Sequence, residues 1–361
     1  MRKGCTIAEY SPIEDDVLEI CNEDEKLEKA TVNRAKQDEV KEQEVPKHIQ
    51  DLYERSTQGL DNRETDIAKE KLVSYSKLFA ETSEELGQSD VVEHTIDTGD
   101  NRPVKQRARR IPIAHQEIAE NMVSEMLKKK VIRSSTSAWA SPIVLVTKKD
   151  GTTRFCIDYR ILNGLTTSDA YPLPRVDDCL DSMNGSKLFS TLDLQSGYHQ
   201  IRMAEKDAHK TAFATRSGLY EFTVMPFGLK NAPASFERAM ECVLRNLQWQ
   251  SVICYLDDII IFSKTFDEHV ERLEEVFNRL EKAGFKLKPK KCSLFQKEVS
   301  FLGHIVSAEG VKTDPEKIEK VKNWPIPVNV TDIRSFLGLC SYYRRFCKGF
   351  ATVAAPLTKL T

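Results

Sequence analysis

The spacing of apolar positions changes several times along this chain. Ile67, Leu72, Tyr75 and Phe79 fall near helical spacing and predict helix within 46–81. Ile118, Met122 and Met126 form a stripe at i, i+4 and i+8, predicting a helix over 115–130. Glu117 and Glu120 near its start and Lys128–Lys130 near its end suit the helix dipole. From residue 141 the pattern shortens to that of strands. "SPIVLVTKKDGTTRFCIDYRILN" reads as strand, turn at Asp150-Gly151, strand. "KLFSTLDLQSGYHQI" is a strand ending near Asp193, then a turn and a short helix. "TAFATRSGLYEFTVMPFG" and "ICYLDDIIIF" read as hairpins. Between them Asn231–Gln248 reads as a helix with Phe236, Met240, Val243 and Leu247 on one face. Val270, Leu273, Phe277 and Leu280 mark an amphipathic helix over Asp267–Ala283, stopped by Gly284. "VSFLGHIVSAEGV" is a further hairpin, and Thr331–Phe346 a last helix ending in Arg344 and Arg345. Strands and helices alternate without a strict βαβ rhythm or a Gly-rich phosphate loop. The expected class is therefore α+β.

Composition narrows the picture. At 361 residues, 40% hydrophobic and 30% charged, the chain suits a soluble protein of two or three subdomains. It has no apolar run long enough for a membrane span and no signal-peptide core. The nine scattered cysteines lack metal spacing and read as reduced thiols of an intracellular, unsecreted protein. A net charge of −2 conceals an asymmetry. Of 53 Lys+Arg and 55 Asp+Glu, the first 100 residues hold 13 and 26, leaving 40 and 29 for the remainder. Residues 14–45, rich in Glu, Asp and Lys, read as a flexible spacer. The basic body, including the extended stretch "HTIDTGDNRPVKQRARRIP", suits a polyanionic partner such as nucleic acid.

The candidate chemistry lies in the carboxylates. Asp257 and Asp258 sit side by side in an otherwise apolar hairpin, where unpaired charge is costly. Asp-Asp is a poor two-residue turn, so a hard-cation site competes with the turn reading. Asp193 ends another apolar-rich strand and is the third acid a two-metal site needs; its plain alternative is a helix N-cap.

"YLDD" resembles the Tyr-x-Asp-Asp motif of reverse transcriptases. The chain from about 46 to 361 resembles the polymerase region of gypsy-type LTR retrotransposon Pol polyproteins. The ordered strings "SAWASPIVLVTKKDGTTRFCIDYRILN", "YPLPRVDDCLDSMNGSKLFSTLDLQSGYHQI", "KTAFATRSGLYEFTVMPFGLKNAPASFERAM", "YLDDIIIFS", "KPKKCSLF", "VSFLGHIVS" and "RSFLGLCSYYRRF" carry that resemblance. It implies a right-hand polymerase with an antiparallel palm sheet backed by helices. Its leader would be 1–45, a helical region 46–100, fingers and palm 101–305, and the thumb 306–361. Within this, fingers take 101–187 with a return at 206–226, and the palm takes 188–205 and 227–305. The thumb would end at the seam to an absent RNase H domain, and the preceding protease would also be missing.

The resemblance further implies RNA-directed DNA polymerase activity, a nucleotidyl transfer from dNTPs to a primer 3′-hydroxyl on an RNA or DNA template. Asp193, Asp257 and Asp258 match the carboxylates that hold two Mg²⁺ ions, with Mn²⁺ able to replace them. Lys148, Lys149 and Arg154 match the cations that meet the triphosphate. Tyr198 matches the aromatic that excludes a ribose 2′-hydroxyl, and Phe227 and Gly228 match the backing of the nucleotide. Where most retroviral enzymes carry Gln, this chain has Phe227, so that contact becomes apolar. Lys291 matches the proposed general acid, with Lys290 as the neighbouring register. Phe301, Leu302, Gly303 and His304 match the primer grip, and Arg344 and Arg345 are expected on the nucleic-acid backbone. The location would be cytoplasmic or within virus-like particles. Asp97-Thr-Gly lacks the flanks of an aspartic protease, so that reading is set aside. The rival from another class is a catalytically silent nucleic-acid-binding remnant or captured host protein; an RNA-dependent RNA polymerase is a second rival.

Overall fold

A computed structural model describes residues 44–82, 84–147 and 151–361. Expectations for the acidic leader, apart from its last two residues, and for Lys148 and Lys149 lie outside the described residues. Glu44–Thr361 forms one unit.

Two helices come first, α1 (Gln50–Ser56) and α2 (Asn62–Ser74). Asp61 caps α2: its carboxylate accepts from Glu64 N–H, while the Glu64 side chain accepts from Asp61 N–H. Leu72, Tyr75 and Phe79 are buried as the helical spacing requires, although the last two follow the helix in a tight 3₁₀ turn.

Next come β1 (Ser89–His94) and α3 (Ile113–Lys128). The buried face of α3 is shifted from the expected stripe, of which Met126 packs on the core. Ala119 and Val123 are buried, while Ile118 is 38% exposed. The helix end sets this phase. Lys130 takes a left-handed φ of 55°, and the amides of Lys130 and Val131 close back on Leu127 and Met126. That reversal drives Val131 into the core and brings the 119/123 face onto the sheet.

This sheet has five strands: β2 (Ile132–Ser134), β3 (Ser141–Thr147), β4 (Thr153–Ile157), β7 (Phe213–Ala214) and β8 (Leu219–Phe222). Their order is β2-β8-β7-β3-β4. The expected hairpins β3–β4 and β7–β8 both form, and β3 meets β7 in parallel. Between them in sequence lie α4 (Arg160–Leu165), α5 (Val176–Ser182), β5 (Leu188–Asp193), β6 (Ile201–Met203) and α6 (Glu205–Ala208). Strand β6 pairs with β1 in parallel.

Then follow α7 (Ala232–Val243), β9 (Val252–Tyr255), β10 (Asp258–Ser263), α8 (Phe266–Lys282) and β11 (Ser293–Gln296). Helix α7 stops five residues short of the expected Gln248. Asn246 and Trp249 adopt positive φ so that the chain can reverse into β9, and Leu247 still packs on the core from the turn. Strands β11-β5-β10-β9 form an antiparallel sheet. Side-chain alternation along β10 splits two cores. Ile259 and Ile261 join α7, α8 and the N-terminal helices; Ile260 and Phe262 join α5 and the next sheet.

That sheet has three strands: β12 (Glu298–Phe301), β13 (His304–Ser307) and β14 (Gly310–Thr313). The single expected hairpin thus gains a third strand, because Ala308-Glu309 makes a second two-residue turn. Helices α9 (Pro315–Lys322), α10 (Val330–Tyr342) and α11 (Phe350–Thr358) finish the chain. The helix expected to reach Phe346 ends at Tyr342, and Gly349, at φ 71°, starts α11 where a bare seam was expected.

Candidate active site

Asp193 ends β5 and Asp258 begins β10, and the two face each other in the antiparallel ladder. Asp257 stands next to them in the turn. Tyr255 pairs with Asp258, so the two central turn residues are Leu256 and Asp257, not the two acids. Leu256 carries the positive φ, 57°, a place where such turns favour Gly. Both of its polar backbone groups are held. Its N–H donates to Glu237 Oε2 at 3.0 Å, and its carbonyl accepts from Cys254 Sγ at 3.0 Å. Glu237, on α7, is 2% exposed, and burial pushes its carboxyl up to about 7 despite the Leu256 bond. Sequence reading missed this residue; the one signal was an acid inside the small and apolar run "APASFERAM".

Behind the acids the sheet is dry: Leu192, Cys254, Ile259, Ile260 and Ile261 are buried. His269 of α8 spans both acid-bearing strands, with Nε2 2.7 Å from Ser190 Oγ and Nδ1 2.9 Å from Ser263 Oγ. It too escaped sequence reading, being one polar residue on an amphipathic helix.

The acids perturb one another. Partial burial, then Asp257, then Asp193 hold the Asp258 carboxyl above its usual range, although the residue is exposed by area. Lys291 Nζ lies 2.7 Å from Asp193 Oδ2, which raises the lysine. The lysine is placed by a 3₁₀ turn, Pro289–Lys291, whose carbonyl at Pro289, with that of Cys292, accepts from Arg55 of α1. Among the described residues no three His, Cys, Asp or Glu side chains converge enough to hold an ion unaided. The donors are nevertheless hard carboxylate oxygens at one strand end, which fit Mg²⁺ completed by water and phosphate oxygens.

Beside the acids, Tyr198 stacks on Phe227, with centroids 5.0 Å apart and planes 19° from parallel, and leans on Phe236 at 5.3 Å. Burial, with Asp257 and Glu237 nearby, pushes its phenol up to about 12. Phe227 is 54% exposed. A cleft of about 600 Å³ brings Arg154, Phe227 and Gly228 together with Ser196 and His199. Asn163 Nδ2 fixes the Gly228 carbonyl at 2.8 Å.

The other expected positions are less open. Phe301 and His304 are buried, leaving Leu302-Gly303 as the turn between them. The His304 ring lies among Tyr342, Tyr343 and Phe346, 5.3–5.6 Å between centroids. Its Nδ1 meets Leu302 O, its Nε2 has no partner among the described residues, and burial lowers its basicity. Tyr342 and Tyr343 hydroxyls donate to the Leu302 and Gly303 carbonyls. Arg345 pairs with Asp177 and Asp181 of α5, which competes with the expected phosphate contact; Arg344 is exposed. Asp97 serves a turn, accepting from Gly99 N–H.

The family model described as reverse transcriptase (RNA-dependent DNA polymerase) matches residues 146–306. The Retrovirus-related Pol polyproteins from transposons 297 and gypsy of Drosophila melanogaster are each 41% identical to this chain. They align over 304 and 298 residues, 83% and 81% of it. The chain belongs to the reverse transcriptase family. It spans 29% of the length of those two polyproteins. The foamy viral protease-reverse transcriptase in complex with dsDNA superposes at a TM-score of 0.79 with 28% identity, over 86% of this chain and 66% of that one. The same viral enzyme in complex with an RNA/DNA hybrid gives 0.75 at 27%, over 86% and 42%. This reverse transcriptase chain therefore has the α+β right-hand polymerase fold, with an antiparallel palm sheet backed by helices. Among the described residues no helix is long and apolar enough to cross a membrane.

Proposed function

We propose that this chain is the polymerase region of a retrotransposon reverse transcriptase, performing RNA-directed DNA synthesis on a primed RNA or DNA template. One observation carries the reading: Asp258 opposes Asp193 across adjacent strands, with Asp257 beside them on a turn held by buried Glu237. We assign fingers and palm to 101–305 and thumb to 306–361, the five-stranded sheet to the fingers and the four-stranded sheet to the palm.

Reverse transcriptases generally use divalent metal ions, and here Asp193, Asp257 and Asp258 would hold them. Bound Mg²⁺ would lower the pKa of the primer hydroxyl and neutralise phosphate charge. The chain's own groups do the rest. Arg154, with Lys148 and Lys149 as sequence candidates, offers cations to the triphosphate. Tyr198, backed by Phe227 and Phe236, is a rigid wall against a ribose 2′-hydroxyl. Lys291 keeps a proton beside Asp193, ready for the leaving pyrophosphate. The 3′-oxygen forms its bond to the α-phosphorus as the bond to pyrophosphate breaks. The turn Leu302-Gly303 is the accessible part of the primer grip, and Arg344, next in sequence to the paired Arg345, is an exposed thumb cation.

The test is extension of a primed RNA template by the purified chain with and without Mg²⁺. Wild type extends only with the metal. Asp257→Asn abolishes extension while primer–template affinity stays within a few fold. Extension by Asp257→Asn overturns the assignment, whereas a wild type that binds but never extends favours the silent-remnant reading.

A further inference from the structure

Arg55 stands in α1, ahead of the matched 146–306 region, and none of the family-like strings includes it. All three nitrogens of its guanidinium are nevertheless engaged. Nε donates to Asp51 Oδ2 at 3.0 Å, one turn earlier on the same helix. Nη1 donates to Cys292 O at 2.9 Å and Nη2 to Pro289 O at 3.1 Å. Asp51 thus sets the plane of the fork, and the fork spans two carbonyls three residues apart. Such a pair of acceptors suits Arg, whereas Lys, a point charge on a flexible stem, has no second arm for the other carbonyl. These bonds commit the group to the protein itself rather than to a phosphate.

The segment it holds, 288–292 or "KPKKC", carries three cations and buries Pro289 and Cys292 alone. So short a turn with so little apolar surface has few packing contacts to fix it. Hydrogen bonds to two partners fix it instead. One partner is Asp193. Its carbonyl accepts from Lys288 N–H at 2.8 Å and from Cys292 Sγ at 3.8 Å, and its carboxylate meets Lys291 Nζ at 2.7 Å. The other partner is Arg55. Helix α1 is itself anchored: Leu52 is fully buried, and Gln296 of β11 donates to the Arg55 carbonyl at 3.3 Å. A continuous line therefore runs from an anchored helix, through the fork and the turn, to both the backbone and the carboxylate of Asp193. Asp258 opposes Asp193 in the ladder, so any shift of Asp193 changes the spacing of the acids.

We propose that Arg55 is a positioning residue of the acid site: by clamping the 288–292 turn it holds Asp193 and Lys291 in their working geometry. This rests on the polymerase reading for the reaction that is measured, and on the fold alone for the clamp.

The test compares the full chain as wild type, Arg55→Ala and Arg55→Lys on a primed RNA template with Mg²⁺ and dNTPs. Arg55→Ala lowers kcat roughly 10–100-fold, as when a hydrogen-bonded support behind a metal-ligating carboxylate is lost. KM for the dNTP and primer–template affinity stay within a few fold. Arg55→Lys, which keeps the charge but not the fork, falls between the two. A second readout needs no catalysis. Alkylation mapped by mass spectrometry finds Cys292 unreactive in wild type and reactive in Arg55→Ala, while Cys254, equally buried, stays unreactive in both. Arg55→Lys carries the same readouts should the Ala variant not fold. An unchanged kcat, a loss carried by KM or by primer–template affinity, full activity in Arg55→Lys, a Cys292 that stays unreactive, or a Cys254 that opens with it each overturns the assignment. A wild type that never extends a primer loses the polymerase reading, and Cys292 then still decides whether Arg55 holds the turn.

Discussion

Leu256 occupies a backbone conformation that costs an L-residue roughly 1–2 kcal/mol. The structure over-determines it: Glu237 takes the amide, Cys254 the carbonyl, and the adjacent ladder pairs Tyr255 with Asp258. Sequence reading weighed only the two acids as the turn and found Asp-Asp a poor one; the acids were found, their register on the turn was not. Glu237 has a consequence in pH. Its folded carboxyl titrates at about 7, above its usual 4.5. Between those values the folded state keeps a proton that the unfolded chain releases. Its contribution is therefore full below about 4.5 and lost as pH rises through 7. Glu237→Gln keeps an oxygen for the Leu256 amide and removes the titration. Thermal melts should show the Gln variant gaining on wild type from pH 5 to pH 8; a constant difference at both pH values would sink the role of this carboxyl.

At the scale of elements, long amphipathic runs were legible and terminations were not. Helix α8 appears one residue from its expected start, with Leu273, Phe277 and Leu280 buried. Its end was readable as well. Gly284 takes φ 76° while Phe285 and Gly284 amides close on Leu280 and Glu281. Helices α3, α7 and α10 erred where Lys130, Asn246 and Trp249 adopt left-handed conformations or where a distant Gly349 starts a new helix, choices that tertiary packing imposes on residues with little preference for them. Gly284 also packs tightly: a Cβ there would overlap the Gln88 carbonyl oxygen. Gly284→Ala should lower stability by about 2 kcal/mol or more, read as a urea midpoint shift at unchanged m-value. A neutral outcome would mean that the Gln88 segment yields freely.

Across the whole molecule, buried histidines set the response to acid. His94 bonds Ser235 and His269 bonds two serines; burial lowers them to about 4 and about 3, from 6.5. Their contribution is full above 6.5 and falls as pH drops toward those values. With His199, which burial also lowers to about 4, three such protons outweigh the opposing ones at Glu237 and Asp258. The urea midpoint should therefore fall between pH 6.5 and pH 4.5, and a midpoint that rises on acidification would contradict the buried neutral rings.

The N-terminal helices were legible in the sequence, but their place was not. Arg55 reaches carbonyls 234 and 237 residues away, and Tyr75 and Phe79 both pack on Phe277. This wide separation matters while the chain is being made. A ribosome adding about 5–20 residues per second needs roughly 12–47 s to deliver Cys292 after Arg55, although a helix forms in about a microsecond. For most of that interval Tyr75 and Phe79 lack Phe277, the ring they pack on. Chains stalled before residue 285 should be cut by protease within 44–82 far faster than released chains. The turn that carries Lys291 is thus braced by α1, made more than two hundred residues earlier, so the acid site gains this support only once Cys292 has been added.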